Sequence, residues 1–341
     1  VADRFAVSWR WGRISTLFVA LTLALLAFSA SGTGRASALT PTDGARIKLY
    51  TAEVSTTQAG GHPDLFVWFR VGHRNDPFIP GSCYCNSIRD ALVETPPGFI
   101  GNPHAMPRCT ALQFGFAECP RDSIVGWAQP QVNLGDGCLG ECDEYPPRFD
   151  FKNPVFNMVP LPGQAGLLAF YVPTVYVPVF QEISARTDSD YGLNTKVINI
   201  PSLSSLVAFQ EELWGVPADP IHDPLRGEVG PFSPPSTSPG PSNSPEIPFL
   251  TNPTTCAGPL SSSFTSTAYD SIVHKATAPW PATTGCDLLS FNPSLSALPS
   301  TESADSPSGL DIDLKVPQTD NPNVPMASEI KATTVTLPDG F

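Results

Sequence analysis

The chain has 341 residues and a formal net charge of −13. An acidic surface repels phosphate backbones and anionic lipid, which argues against nucleic acid or an acidic membrane as partner. Proline accounts for 39 residues, about twice the usual ~5%. Because proline fixes φ and removes a backbone donor, this content excludes long helices and restricts central strand positions.

The first 38 residues read as a secretory signal peptide. Arg4, Arg10 and Arg13 precede an apolar run, LFVALTLALLAF (17–28), and Ala36-Ser37-Ala38 supplies an A-x-A cleavage site. An uncleaved anchor is the competing reading, but the run is shorter than the ~20 residues that span a bilayer comfortably. Cleavage after Ala38 removes four Arg and one Asp, leaving 303 residues with a net charge of −16. No second apolar run follows, so no transmembrane anchor is expected in the mature chain. This length suits two domains or one large β-domain.

The remaining apolar runs are short and bounded by Pro, Gly, Asn or Ser, the pattern of an all-β protein. ARIKLYTAEV (45–54) is strand-like. LFVWFRV (65–71) is apolar at nearly every position, which predicts a strand buried on both faces. IRDALVETPPGF (88–99) is a strand ending in a Pro-Pro-Gly turn. TALQFGFAE (110–118) is a short helical turn. SIVGWAQPQVNL (123–134) is a strand, and residues 154–187 hold strands broken by prolines. EISART, DSDYG and LNTKVINI form a predicted hairpin with its turn. FQEELWGVP (209–217) and SSSFTSTAY (261–269) are further strands. PFSPPSTSPGPSNSPEIP (231–248) is a Pro/Ser-rich exposed loop. TESADSPSG (301–309) reads as a linker, followed by LDIDLKVP.

Eight cysteines follow the signal segment: Cys83, Cys85, Cys109, Cys119, Cys138, Cys142, Cys256 and Cys286. An even count in an exported chain favours disulfides. Cys109 and Cys119 flank the short helical turn, and Cys256 and Cys286 bracket a 30-residue excursion. The C-x-C of Cys83 and Cys85 and the C-x3-C of Cys138 and Cys142 suggest two loops stapled together. A four-cysteine zinc site is the alternative, although this is not the usual pair of C-x2-C spacings.

Several groups could carry chemistry. Asp219, His222 and Asp223 lie within five residues and could hold a divalent cation or act as an acid–base pair. The plainer reading is a proline-fixed turn whose aspartates cap backbone donors. The loop carrying Asp136, Glu141, Asp143 and Glu144 is a calcium candidate by charge. TDSDYG resembles the start of a calcium loop through Asp188, Asp190 and Gly192, but further ligands are missing and a hairpin turn is favoured. Trp68, Trp127, Trp214 and Trp280 could line a sugar-binding face, or simply form core. No G-x-S-x-G elbow, P-loop or G-x-G-x-x-G is present, and no catalytic residues are assigned.

The chain also repeats itself. IRDALVETPPGF (88–99) aligns without a gap with IKATTVTLPDGF (330–341), and a strand lies upstream of each copy. Two strands cannot bury a core alone. Residues 310–341 therefore read as the start of a second unit similar to residues 39–300, with its partner strands absent, and are expected to be poorly packed.

AGGHPDL (59–65), PPGFIGNP (96–103), PRCTALQF (107–114), YGLNTKVINIP (191–201), LWGVPADPIHD (213–223), PFLTNPTTCAGP (248–259) and ADSPSGLDIDLKVPQ (304–318) resemble large secreted proteins of high-GC Gram-positive bacteria. Those proteins are built of tandem β-rich units and have no established biochemical role. The resemblance covers most of the mature chain. It implies the pairings Cys109–Cys119 and Cys256–Cys286, and it brings no catalytic residues.

The expected fold is all-β: disulfide-stapled, Ig-like sandwich lobes with few short helices. The expected function is an exported, non-catalytic structural or adhesive repeat module at the cell surface, with a cell-envelope or extracellular polymer as partner. The alternatives are a secreted carbohydrate-binding or carbohydrate-hydrolysing protein and a calcium-rigidified adhesin.

Overall fold

The computed structural model describes residues 46–71, 88–133, 152–172, 177–187, 190–201, 205–226, 240–256, 258–330 and 332–337. It also describes the backbone of 74–75, 82–84 and 138–139. All of these belong to one compact unit, Gly44–Phe341. The signal segment, the calcium candidates Asp136, Glu141, Asp143 and Glu144, residue Asp188 and the first part of the Pro/Ser-rich loop (231–239) lie outside the described residues.

The fold is all-β. Its first strands are β1 (Ile47–Val54), β2 (Leu65–Val71), β3 (Arg74–Asn75), β4 (Ser82–Tyr84), β5 (Ile88–Glu94) and β6 (Ile100–Gly101). Next come β7 (Ile124–Asn133), β8 (Cys138–Leu139), β9 (Asn153–Asn157), β10 (Gly166–Val172), β11 (Val177–Ala185) and β12 (Leu193–Val197). The last are β13 (Ser205–Leu213), β14 (Leu250–Thr251), β15 (Leu260–Ala268), β16 (Val273–Trp280), β17 (Ser294–Pro299) and β18 (Leu310–Lys315). Among the described residues, the α-helix is confined to α1 (Ala111–Gly115).

In place of two separate lobes, eleven strands form a single antiparallel sheet in the order β1-β2-β13-β7-β9-β10-β11-β12-β5-β15-β16. The sheet curls until its ends meet. Tyr50 of β1 stacks on Phe264 of β15 at 5.7 Å, and its hydroxyl lies 2.5 Å from the Ser262 hydroxyl. Curling hides the strand edges that an open sheet would leave unpaired. It also gives the sheet an inner face.

That inner face carries the main core, including Leu65, Val67, Phe69, Val125, Leu168, Phe170 and Phe264. β2 alternates, with Leu65, Val67, Phe69 and Val71 buried while Phe66 and Trp68 are half-buried and Arg70 is exposed. The expectation that both faces of LFVWFRV are fully buried is thus corrected: the outer face is only partly covered. β10, like β7, is buried on both sides. Leu168 and Phe170 face inward, whereas Leu167 and Ala169 face a second cluster with Phe114, Trp127, Phe156, Met158 and Trp214.

α1 closes this outer cluster. Thr110 caps it by accepting from the Gln113 amide, and the Gln113 side chain accepts from the Thr110 amide. The Cys109–Cys119 disulfide joins its two flanks. Phe114 then stacks on Tyr171 at 4.4 Å, and the Tyr171 hydroxyl donates to the Phe114 carbonyl. Cys256 is joined to Cys286. In the small sheet β3-β4-β8, the backbone of Cys83 pairs with that of Cys138. The side chains of Cys83, Cys85, Cys138 and Cys142 lie outside the described residues.

β17 and β18 form a separate hairpin. Residues 301–309 are therefore the loop of a hairpin, where the sequence reading has a linker. The hairpin also crosses the boundary expected at residue 300. Beyond it, residues 324–329 return to the main body. The Met326 amide donates to the Gly60 carbonyl at 2.7 Å, the Ser328 amide to the Ser290 carbonyl, and the Glu329 amide to the Thr254 hydroxyl. Ala327 is buried there. This part of 310–341 is fastened, against the expectation of poor packing. Residues 332–337 form no strand.

Candidate functional site

β13 carries two adjacent glutamates, and strand alternation sends them to opposite faces. Glu211 points into the curled sheet. Glu212 points outward.

Inside the curled sheet is a cavity of about 100 Å³, walled by side chains such as Val67, Val93, Phe170, Val179 and Phe209. Glu211 and Gln181 are the charged and amide groups in that apolar wall. Burial pushes the Glu211 carboxyl from an ordinary value near 4.5 up to about 7, opposed by a hydrogen bond from Gln181. Oε1 of Glu211 and Oε1 of Gln181 have no hydrogen-bond partner among the described residues. A proton on the carboxyl would let the acid and the amide pair reciprocally and satisfy both oxygens.

Outside the curled sheet, Glu212 meets Asp64 and His222. The candidate ligand atoms of these three residues all lie within 4.8 Å of one another. Asp64 sits where the β1–β2 connection enters β2. Its Oδ1 accepts from the Gly215 amide at 2.8 Å and lies 3.6 Å from His222 Nε2. Glu212 Oε1 accepts from the Trp214 indole at 3.1 Å. The His222 ring stacks on the fully buried Trp214 at 4.5 Å and an interplanar angle of 11°. Burial lowers the His222 pKa to about 4, with the Arg226 charge acting in the same direction and Asp219 opposing it. The imidazole is therefore neutral at neutral pH. Burial raises the Asp64 carboxyl.

No family model, curated protein or solved structure matches this chain.

The sequence reading places His222 with Asp219 and Asp223, and the structure separates their roles. Asp219 caps a 3-10 turn, Pro220–Leu225, by accepting from the Ile221 amide. Asp223 pairs with the guanidinium of the fully buried Arg226, which also donates to the Pro217 and Gly240 carbonyls. The turn thus has the proline-fixed, aspartate-capped form that the sequence offered as its plainer reading. His222 alone goes to the three-residue cluster. Asp64 and Glu212 were missed because Asp64 lies 158 residues from His222, and no local spacing connects them.

The other candidates are also tied into structure. The Asp190 carboxylate receives Arg186 at 2.7 and 3.1 Å and the Gly192 amide at 2.9 Å, between the paired strands β11 and β12. A Cβ at Gly192 would fall 1.7 Å from the Arg186 guanidinium, so a side chain there must displace the guanidinium from its present position. Trp127, Trp214 and Trp280 are buried, the core role and not the sugar-facing one, while Trp68 is half-buried. Among the described residues, no helix is long and apolar enough to cross a membrane.

Proposed function

We propose that this chain is an exported, non-catalytic structural or adhesive module in which β-rich units follow one another, acting at the cell surface against an envelope or extracellular polymer. The signal peptide at residues 1–38 and two disulfides suit an oxidising compartment.

One observation carries this reading. The hairpin β17–β18 has the register of the hairpin β1–β2 at an offset of 245 residues. Tyr50 opposite Phe69, Ala52 opposite Val67 and Val54 opposite Leu65 become Leu295 opposite Leu314, Ala297 opposite Ile312 and Pro299 opposite Leu310. The connecting loops have equal length. Ser55-Thr56 and Ala59 in the first correspond to Ser300-Thr301 and Ala304 in the second. In the first hairpin Tyr50, Ala52, Leu65, Val67 and Phe69 are buried in the core. Of their counterparts, Leu295, Ala297, Ile312 and Leu314 are exposed and Leu310 is half-buried. The second hairpin has the inward face of a curled sheet without a sheet to cover it. A second unit of the same kind supplies that cover.

The repeat of 88–99 at 330–341 belongs to the same pattern, at an offset of 242 residues. The first copy holds β5, which is flanked on both sides by β12 and β15.

Mass spectrometry of the protein secreted by its own organism tests this. The expected result is a mature N-terminus at Leu39, together with peptides that continue the second unit beyond Phe341. Retention of residues 1–38, or a C-terminus at Phe341, contradicts it.

A further inference from the structure

Asp64, Glu212 and His222 come from three separate places in the chain: the end of the β1–β2 connection, β13, and the 3-10 turn that follows it. We propose that these three residues form a binding site for a divalent transition metal, with zinc as its natural class of occupant, which ties that turn to the β1–β2 connection.

The donor set determines the class. One imidazole nitrogen with two carboxylates suits zinc and its first-row neighbours, whereas calcium and magnesium prefer all-oxygen cages. The spacing agrees. Zinc arms of about 2.1 Å put tetrahedral ligand atoms roughly 3.4 Å apart, and His222 Nε2 and Asp64 Oδ1 are 3.6 Å apart. Asp64 and Glu212 are only half-buried, which gives an ion and its remaining water a way in.

The groups behind the ligands hold them in place. The Trp214 indole donates to Glu212, the Gly215 amide donates to Asp64, and the Trp214 ring supports the His222 imidazole. Such outer contacts fix ligand orientation at metal centres. Charge also favours a cation. His222 has Asp64, Glu212, Asp219 and Asp223 around it against the single positive charge of Arg226.

Calorimetric titration of the chelator-treated full chain with ZnCl2 tests the site, with CaCl2 as the comparison. Glu212→Gln is the informative variant, because an amide oxygen can still accept from the Trp214 indole but is a poor zinc ligand. Asp64→Asn does the same for the Gly215 amide. One zinc per chain is expected, with calcium at least tenfold weaker. Each variant should weaken zinc at least tenfold while leaving the metal-free melting temperature unchanged. Cobalt(II) should give visible absorption that both variants diminish. Absence of zinc binding, or zinc binding that neither variant changes, overturns the proposal. The second outcome would assign the ion to other histidines.

Discussion

Glu211 and Glu212 are sequence neighbours in very different surroundings. The sequence shows FQEELW as a strand, and alternation requires one glutamate to face inward. It does not say which, because a bulge between Leu206 and Ala208 shifts the count along β13. Asp219 as a turn cap was legible, since Asp-Pro with a donor two residues on is a local arrangement. The partners of His222 were not, since they are set by strand pairing over long separations.

Glu211 gives a pH signature. In the unfolded chain its carboxyl ionises near pH 4.5, whereas in the folded chain it holds its proton up to about pH 7. Between those values the unfolded state binds fewer protons, so this residue lowers stability as pH rises. Glu211→Gln removes that dependence. The stability difference, variant minus parent, should grow from pH 4.5 to pH 7 and stay constant above, reaching on the order of 3 kcal/mol. Urea unfolding across this range, with chelator present, reads it directly. A difference independent of pH would mean that Glu211 titrates normally.

At the scale of elements, local chemistry made most strands and the helical turn readable. TALQFG carries a capping box, and Cys109 and Cys119 bracket it. What local chemistry could not show is the service α1 performs, which is to cover the outer face of β10. The disulfide closes a separation of 10 residues, and loop-closure entropy assigns such a link roughly 3 kcal/mol. Replacing both cysteines, Cys109→Ala with Cys119→Ala, should lower the melting temperature by roughly 5–10 °C in scanning calorimetry. An unchanged midpoint would show that the capping box and Phe114 hold the turn unaided.

The packing of segment 324–329 is not legible in the sequence, because nothing in VPMASE signals a contact with Gly60. A Cβ on Gly60 would lie 2.6 Å from the Met326 carbonyl oxygen, so the approach depends on glycine. A chain ending at Phe291 loses these backbone bonds. At about 0.5–1.5 kcal/mol per bond, it should unfold about 1–3 kcal/mol more easily in urea. Equal stability would make the segment a passive tail.

For the whole molecule, the all-β class was plain from proline content and short apolar runs. The order of the sheet was not. β2 lies beside β13, and β5 lies between β12 and β15, pairings that bridge more than a hundred residues. Sequence patterns fix which face of a strand is apolar, but not which strand it finds. For the same reason the sequence repeat was visible as a short match around β5, while the hairpin repeat emerged only through register.

Two hairpins with one register and opposite burial make the central claim measurable. Hydrogen–deuterium exchange on the full chain compares them directly. Amides of β1 and β2, held beneath the core, should be protected for hours. Those of β17 and β18, at the matching positions, should exchange within seconds to minutes, because an uncovered two-stranded hairpin is marginal in water. Equal protection of the two hairpins would contradict the account: it would mean that the second is already covered within this unit and is not the opening of another.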